Sequence, residues 1–157
     1  MINYAFIDSQ NLNLSIIDQG WKLDFKRFYK FLQDKFHVNR AFIFIGYINN
    51  NQKLYTFLQK VGYIVIFKPT LELPNGIVKG NVDADLVLHA MIEKDNYDKA
   101  LIISGDGDFH CLIEYLFDND KLLGVIIPNK YSYSSLLKEF ANKLLFLNKW
   151  RSRVEFR

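Results

Sequence analysis

The sequence Leu101-Ile-Ile-Ser-Gly-Asp-Gly-Asp-Phe109 joins an apolar run to an acidic loop, and an amphipathic stretch follows as far as Phe117. This order is typical of a buried strand, a tight turn and a helix. The two glycines are expected to give the turn unusual backbone angles and to leave room for a ligand. The stretch therefore predicts a strand end that carries two carboxylates, Asp106 and Asp108.

The position of these two carboxylates suggests a metal site. In open α/β sheets, ligands bind outside the carboxyl ends of the strands. Oxygen ligands at such a place suit Mg²⁺ or Mn²⁺. The alternative is that Asp106 only shapes the turn and Asp108 only caps the following helix.

The composition is that of a globular protein. The chain has 157 residues, of which 50% are hydrophobic and 24% charged, which suits one domain with its own core. The net charge of +3 creates no strong field that demands a polyanionic partner. The single cysteine, Cys111, is predicted to lie in the core of a protein in a reducing compartment. Without a signal-peptide pattern or a membrane-spanning run, a cytoplasmic protein with no membrane partner is expected.

Apolar runs and amphipathic stretches alternate along the chain. Strands are predicted over residues 4–7, 40–47, 63–67, 99–103 and 122–127, and helices over residues 24–36, 49–61, 81–94, 109–118 and 132–142. This alternation predicts a mostly parallel, doubly wound sheet, for which we expect the strand order 3-2-1-4-5. Residues 143–147 form either a sixth strand or an extended tail. Pro74-Asn75-Gly76 indicates a small hairpin between Leu71 and Val78.

In this topology four carboxylates converge on one crevice. Asp8 ends the first strand, and Asp106 ends its neighbour. Asp83 begins the helix before strand four, on its core-facing side, whereas Asp85 points elsewhere because the two differ by about 200° around a helix. Asp108 begins the helix after strand four and is the fourth carboxylate. Negative charges this close would repel one another unless a divalent cation binds them.

Metal-assisted hydrolysis of a phosphodiester fits this cluster best. The sequence offers no Ser-His-Asp or Cys-His arrangement and no glycine-rich nucleotide fingerprint. Its three histidines lack the spacing of zinc ligands. Toprim-like and haloacid dehalogenase-like enzymes are less favoured, because the first expects a glutamate at Asp8 and the second an acid at Gln10.

Four motifs, taken in order, resemble the NYN domain family in its LabA-like bacterial branch. They span nearly the whole chain, and they are Phe6-Ile-Asp8-Ser-Gln-Asn11, Lys79-Gly-Asn-Val-Asp83-Ala-Asp85-Leu86, Ser104-Gly-Asp-Gly-Asp-Phe109 and Pro128-Asn129-Lys130-Tyr131-Ser132. The resemblance implies a PIN-like fold, which is a three-layer α/β sandwich. It also implies a metal-dependent ribonuclease, because the characterised members of the family have that activity.

The resemblance assigns roles to particular residues. It implies that Mg²⁺ or Mn²⁺ is bound by four aspartates, with a fifth as a further candidate: Asp8, Asp83, Asp106, Asp108 and Asp85. Asn11 would orient Asp8, a water or the substrate. Lys79 is a candidate phosphate contact, and Ser104 is a further candidate substrate contact.

Single-stranded RNA is the expected partner and substrate. The alternative is a non-catalytic module that binds RNA or a protein and retains the acidic pocket. Residues 1–148 are expected to form the nuclease domain, and residues 149–157 a basic tail. The tail combines cations with aromatic side chains, which suits single-stranded nucleic acid, but a frayed terminus explains it as well. Its aromatic residues leave a homodimer possible.

Overall fold

The computed structural model describes residues 1–47, 51–69, 71–72, 74–75, 78–79 and 82–157. Over these residues the strands are β1 (Asn3–Asp8), β2 (Val38–Tyr47), β3 (Ile64–Pro69), β4 (Leu71–Glu72), β5 (Val78–Lys79), β6 (Lys99–Ile103), β7 (Leu122–Ile127) and β8 (Leu144–Phe146). The α-helices are α1 (Ser9–Asp18), α2 (Phe25–Phe36), α3 (Gln52–Val61), α4 (Asp83–Ile92), α5 (His110–Asp118) and α6 (Arg151–Val154). Helical turns of the 3-10 type cover Gly107–Phe109, Ser135–Lys143 and Leu147–Trp150.

Within the described ranges, six parallel strands form one sheet in the order β3-β2-β1-β6-β7-β8. The expected order 3-2-1-4-5 is therefore confirmed, and β8 adds a sixth strand beyond it. β4 and β5 pair antiparallel across the Pro74-Asn75 turn, as the hairpin prediction required. Because the six strands run in parallel, their carboxyl ends meet at one edge, where such sheets bind ligands.

Helices cover both faces of this sheet, which confirms the predicted three-layer α/β sandwich. On one face, α4, α5 and residues 135–143 pack on side chains such as Phe6 and Phe42, whose rings stack 5.3 Å apart. On the other face, α1, α2, α3 and α6 cover alternate residues of the same strands, among them Ile7 and Ile43. Each fully buried side chain of this size stabilises the fold by about 1.5–3 kcal/mol.

Three local predictions differ from the structure. Cys111 is exposed, so its assignment to the core was wrong; α5 buries Leu112, Ile113 and Leu116 instead. Helix α1 had no counterpart in the predicted elements. The helix expected over residues 132–142 is instead a 3-10 segment, Ser135–Lys143, whose backbone departs from helical angles at Phe140.

The basic segment 149–157 packs against α2. The ring of Trp150 lies 5.4 Å from that of Phe31, and Val154 is fully buried. The amide of Asp24 donates a hydrogen bond of 2.9 Å to the carbonyl of Val154. A frayed terminus is therefore not what the structure contains. None of the helices in the described ranges is long and apolar enough to cross a membrane.

Candidate metal centre

Asp8 lies at the carboxyl end of the central strand, at the point where α1 begins. Its side chain is 3% exposed and caps α1 by accepting a hydrogen bond of 3.2 Å from the amide of Asn11. Ile7 of β1 pairs with Ile103 of β6, so the next residues, Asp8 and Ser104, lie side by side. The sheet register thus brings together two motifs that are far apart in the sequence.

A chain of hydrogen bonds joins these two strand ends. The Ser104 hydroxyl donates to Oδ2 of Asp8 at 3.1 Å and accepts from the amide of Asp106 at 3.1 Å. The side-chain oxygen of Asn11 accepts from the amide of Gly105 at 2.8 Å. Ser104 is only 1% exposed, and its hydroxyl links the side chain of Asp8 to the backbone of Asp106.

Three of the predicted carboxylates meet at this edge of the sheet. One oxygen each from Asp8, Asp83 and Asp106 lies within 4.8 Å of the other two. Asp83 is the first residue of α4. Asp106 also accepts a 2.9 Å hydrogen bond from the amide of Asp108. We call the group formed by Asp8, Asp83 and Asp106 the acidic notch.

The other two predicted ligands lie outside the acidic notch. Asp108 is exposed and Asp85 is partly exposed, and neither belongs to the group of mutually close carboxylates found among the described residues. Lys79 lies in β5, but its side chain falls outside the part of the chain that the structure describes. The predicted contact of Lys79 with phosphate therefore stays a prediction.

The electrostatics of the notch favour a bound cation. Burial raises the pKa of Asp8, and the nearby charge of Asp106 raises it further, while hydrogen bonds from Asn11 and Ser104 act in the opposite direction. Carboxylate oxygens are the ligands that Mg²⁺ and Mn²⁺ prefer, and Mg²⁺ holds its oxygen ligands at about 2.0–2.1 Å. Three carboxylate oxygens within 4.8 Å of one another are close to that arrangement, because two ligands on opposite sides of such an ion lie about 4.2 Å apart.

A polar cleft with a cavity volume of about 670 Å³ opens beside the notch. Asn11, Gly105, Asp106 and Asp108 form one side, and the segment 130–138 forms the other. The segment places two lysines, two tyrosines and two serines on the cleft: Lys130, Lys138, Tyr131, Tyr133, Ser132 and Ser134.

The two glycines of the acidic loop admit this opposite wall. A Cβ on Gly107 would lie 2.9 Å from Cβ of Ser134, and a Cβ on Gly105 would lie 3.1 Å from Cβ of Tyr133. The expected unusual backbone angles were wrong, because among the glycines that the structure describes those with positive φ are Gly20 and Gly62. The room expected for a ligand beside Gly105 and Gly107 is occupied by Tyr133 and Ser134.

A second group of metal-ligating side chains was missed from the sequence. His110 and Glu114 stand one turn apart on α5, and with Glu139 they offer ligand atoms within 4.8 Å of one another. Nε2 of His110 contacts Oε1 of Glu139. The spacing of His110 and Glu114 was visible in the sequence, but the approach of Glu139 depends on the tertiary fold. This exposed group requires a control in any metal-binding experiment.

The fold agrees with that of a solved structure. The crystal structure of a protein of unknown function, VPA0982 from Vibrio parahaemolyticus RIMD 2210633, is similar with a TM-score of 0.77 and 23% identity. The similarity covers 99% of this chain and 96% of that one. No protein of curated function matches the sequence. The family model of the NYN domain matches residues 4–148, so the chain belongs to the NYN domain family, whose domains are generally PIN-like nucleases.

Proposed function

We propose that this protein is a metal-dependent endoribonuclease that hydrolyses phosphodiester bonds of single-stranded RNA. The observation that carries the proposal is the acidic notch, in which Asp8, Asp83 and Asp106 meet beside an open polar cleft. Membership of the NYN family supports a nuclease. We place the chain in the LabA-like branch because of its Pro128-Asn129-Lys130-Tyr131-Ser132 motif.

Each residue of the site has a role in this proposal. The notch residues Asp8, Asp83 and Asp106 would hold Mg²⁺ or Mn²⁺. When bound, such an ion supplies polarisation of the phosphoryl oxygens and activation of water. Asp108 is exposed and lines the cleft, and it would accept the proton of the attacking water. Ser104 and Asn11 hold the notch in shape through hydrogen bonds.

The expected reaction is hydrolysis, in which one water molecule is consumed for each phosphodiester bond that is cleaved. The water oxygen forms a bond to phosphorus, and the bond from phosphorus to the 3′ oxygen breaks. One proton passes to a cleft carboxylate and a proton is returned to the leaving oxygen. The products are a 3′-hydroxyl and a 5′-phosphate.

The test is cleavage of a generic single-stranded RNA with Mn²⁺ or Mg²⁺, followed on denaturing gels. Asp106→Asn should lower the rate by at least about 100-fold. Loss of a residue that only supports a metal ligand already costs about 10–100-fold, and Asp106 is proposed to be a ligand itself. Asp108→Asn should lower the rate by a similar factor, because it removes a general base. Glu139→Gln, which alters the exposed second group, should retain activity.

Two results would count against this proposal. Equal cleavage by wild type and Asp106→Asn would assign the activity to a contaminating nuclease. Tight binding of RNA by the wild type without cleavage, with either metal, would favour the non-catalytic binding module.

A further inference from the structure

A second cavity continues the cleft away from the acidic notch. Its volume is about 530 Å³, and it shares Lys130 with the first cavity. It is also lined by Asn148, Lys149 and Trp150. The two cavities meet at Lys130, with Asp106 lining the first and Trp150 the second, and we call them together the 130–150 groove.

Both cations and aromatic rings line this groove. Tyr131 is 80% exposed, although aromatic side chains of this size are usually at least half buried. The Nζ of Lys130 lies 5.0 Å from the centre of the Tyr131 ring. In the second cavity, Nζ of Lys149 lies 5.5 Å from the Trp150 ring. The groove thus offers an exposed stacking surface beside positive charges.

The remaining cations of the C-terminal segment have other partners. Arg151 bonds to Glu155 at 3.1 Å and lies over the Trp21 ring at 5.3 Å. Arg153 lies over the Phe31 ring at 5.0 Å. Lys149, by contrast, lines the groove. The segment therefore contributes Lys149 and Trp150 to this surface, not its whole run of basic residues.

We infer that the 130–150 groove binds single-stranded RNA and leads it into the acidic notch. This inference rests on the proposed function and adds the path of the strand. Lys130, Lys138 and Lys149 contact phosphates, and a base stacks on Tyr131. Proteins bind single strands by this combination of a basic groove and aromatic platforms. A duplex does not fit the role, because its bases are stacked on one another and their faces are inaccessible.

Binding measured apart from cleavage tests the inference. In EDTA, the fluorescence anisotropy of a labelled oligouridylate of about 12 nucleotides reports the Kd of the folded, full-length protein. Tyr131→Ala should weaken binding at least about fivefold, and Tyr131→Phe should restore it because the ring is retained. Lys130→Ala should weaken binding and reduce the salt slope, measured between about 50 and 200 mM, by about one unit.

Lys60→Ala is the matched control, because Lys60 is exposed at the last turn of α3 and lines neither cavity. Thermal denaturation confirms that each variant is folded. Unchanged binding by Tyr131→Ala and Lys130→Ala would overturn the groove, as would an equal loss with Lys60→Ala or tighter binding of duplex RNA. RNA binding that depends on the groove, without any cleavage in Mn²⁺, would support the groove while the nuclease proposal fails. Cleavage that does not depend on Lys130 or Tyr131 would support the nuclease proposal and contradict the groove.

Discussion

Asp8 is the buried member of the acidic notch, and its ionisation has consequences for stability. Burial and the charge of Asp106 raise its pKa, so the folded protein holds this proton more tightly than the unfolded chain. The free energy of unfolding should therefore fall as pH rises from the ordinary aspartate pKa of about 3.9 through the raised value. The free-energy cost of burying the ionised Asp8 carboxylate is absent at lower pH, where the group is protonated, and fully present at neutral pH.

Asp8→Asn should escape this loss, because asparagine has no proton to release. We expect the difference in unfolding free energy between the variant and wild type to move in the variant's favour as pH rises through that interval. Urea denaturation in EDTA at several pH values measures the difference. A flat difference for Asp8→Asn would contradict the assignment of a buried, charged notch.

The three notch residues could be predicted because each follows from a local pattern. Asp8 ends β1, Asp106 follows β6 by three residues, and Asp83 was expected on the core-facing side of its helix. Asp108 was expected to join them, but the chain after Asp106 turns as a 3-10 helix and leaves that side chain exposed. The opposite wall of the cleft, around Tyr131, could not be placed from sequence, because its position depends on contacts between distant segments.

The acidic loop and the segment 133–136 are packed so closely that one added methyl group should separate them. In Gly107→Ala, the new Cβ would meet Cβ of Ser134 at 2.9 Å and Cδ1 of Leu136 at 3.1 Å. We expect a loss of about 1–3 kcal/mol in unfolding free energy, as overpacking usually costs. Cleavage should weaken as well, because the cleft wall moves. Urea denaturation and the RNA cleavage assay measure the two effects.

The double variant Gly107→Ala/Ser134→Gly separates crowding from other effects of the alanine. The Ser134 side chain is the nearest group that the new methyl group would meet. Adding Gly107→Ala to Ser134→Gly should therefore cost less unfolding free energy than adding it to the wild type. If the two substitutions are simply additive, the close approach of these two elements is not what Gly107 provides.

Helices with a clear amphipathic pattern were predicted well, and α1 shows why one was missed. Asp24 caps α2 by accepting from the amides of Lys26 and Arg27, as its position indicated. In α1, apolar residues recur at Leu12, Leu14 and Ile16, which is a spacing of two and is typical of a strand. The helix buries Leu12 and Ile16 while Leu14 is 53% exposed, so packing against the sheet overrides the local pattern.

The whole fold includes the C-terminal segment. Val154 is fully buried and belongs to the core on the α2 side of the sheet. Val154→Ala should therefore lower the unfolding free energy by about 1–3 kcal/mol through the cavity that it leaves. Ser152→Ala, at an exposed position of the same helix, should leave stability nearly unchanged. Equal stability of the two variants in urea would indicate that residues 149–157 form a tail separate from the domain.

Strand order was predictable because alternating strands and helices restrict a sheet to few topologies. The docking of the C-terminal segment was not, since nothing in residues 149–157 indicates that α2 is their partner. Contacts such as that of Trp150 with Phe31 arise only once the sheet has brought both ends of the chain to one face.

The acidic notch is most directly tested by a crystal of the wild-type protein soaked in Mn²⁺ and measured at the manganese absorption edge. We expect an anomalous peak among the carboxylate oxygens of Asp8, Asp83 and Asp106, which are ligands suited to Mn²⁺, and its loss in Asp106→Asn. Anomalous density confined to His110, Glu114 and Glu139, or no density in the notch at saturating Mn²⁺, would contradict a metal-dependent site at this edge of the sheet.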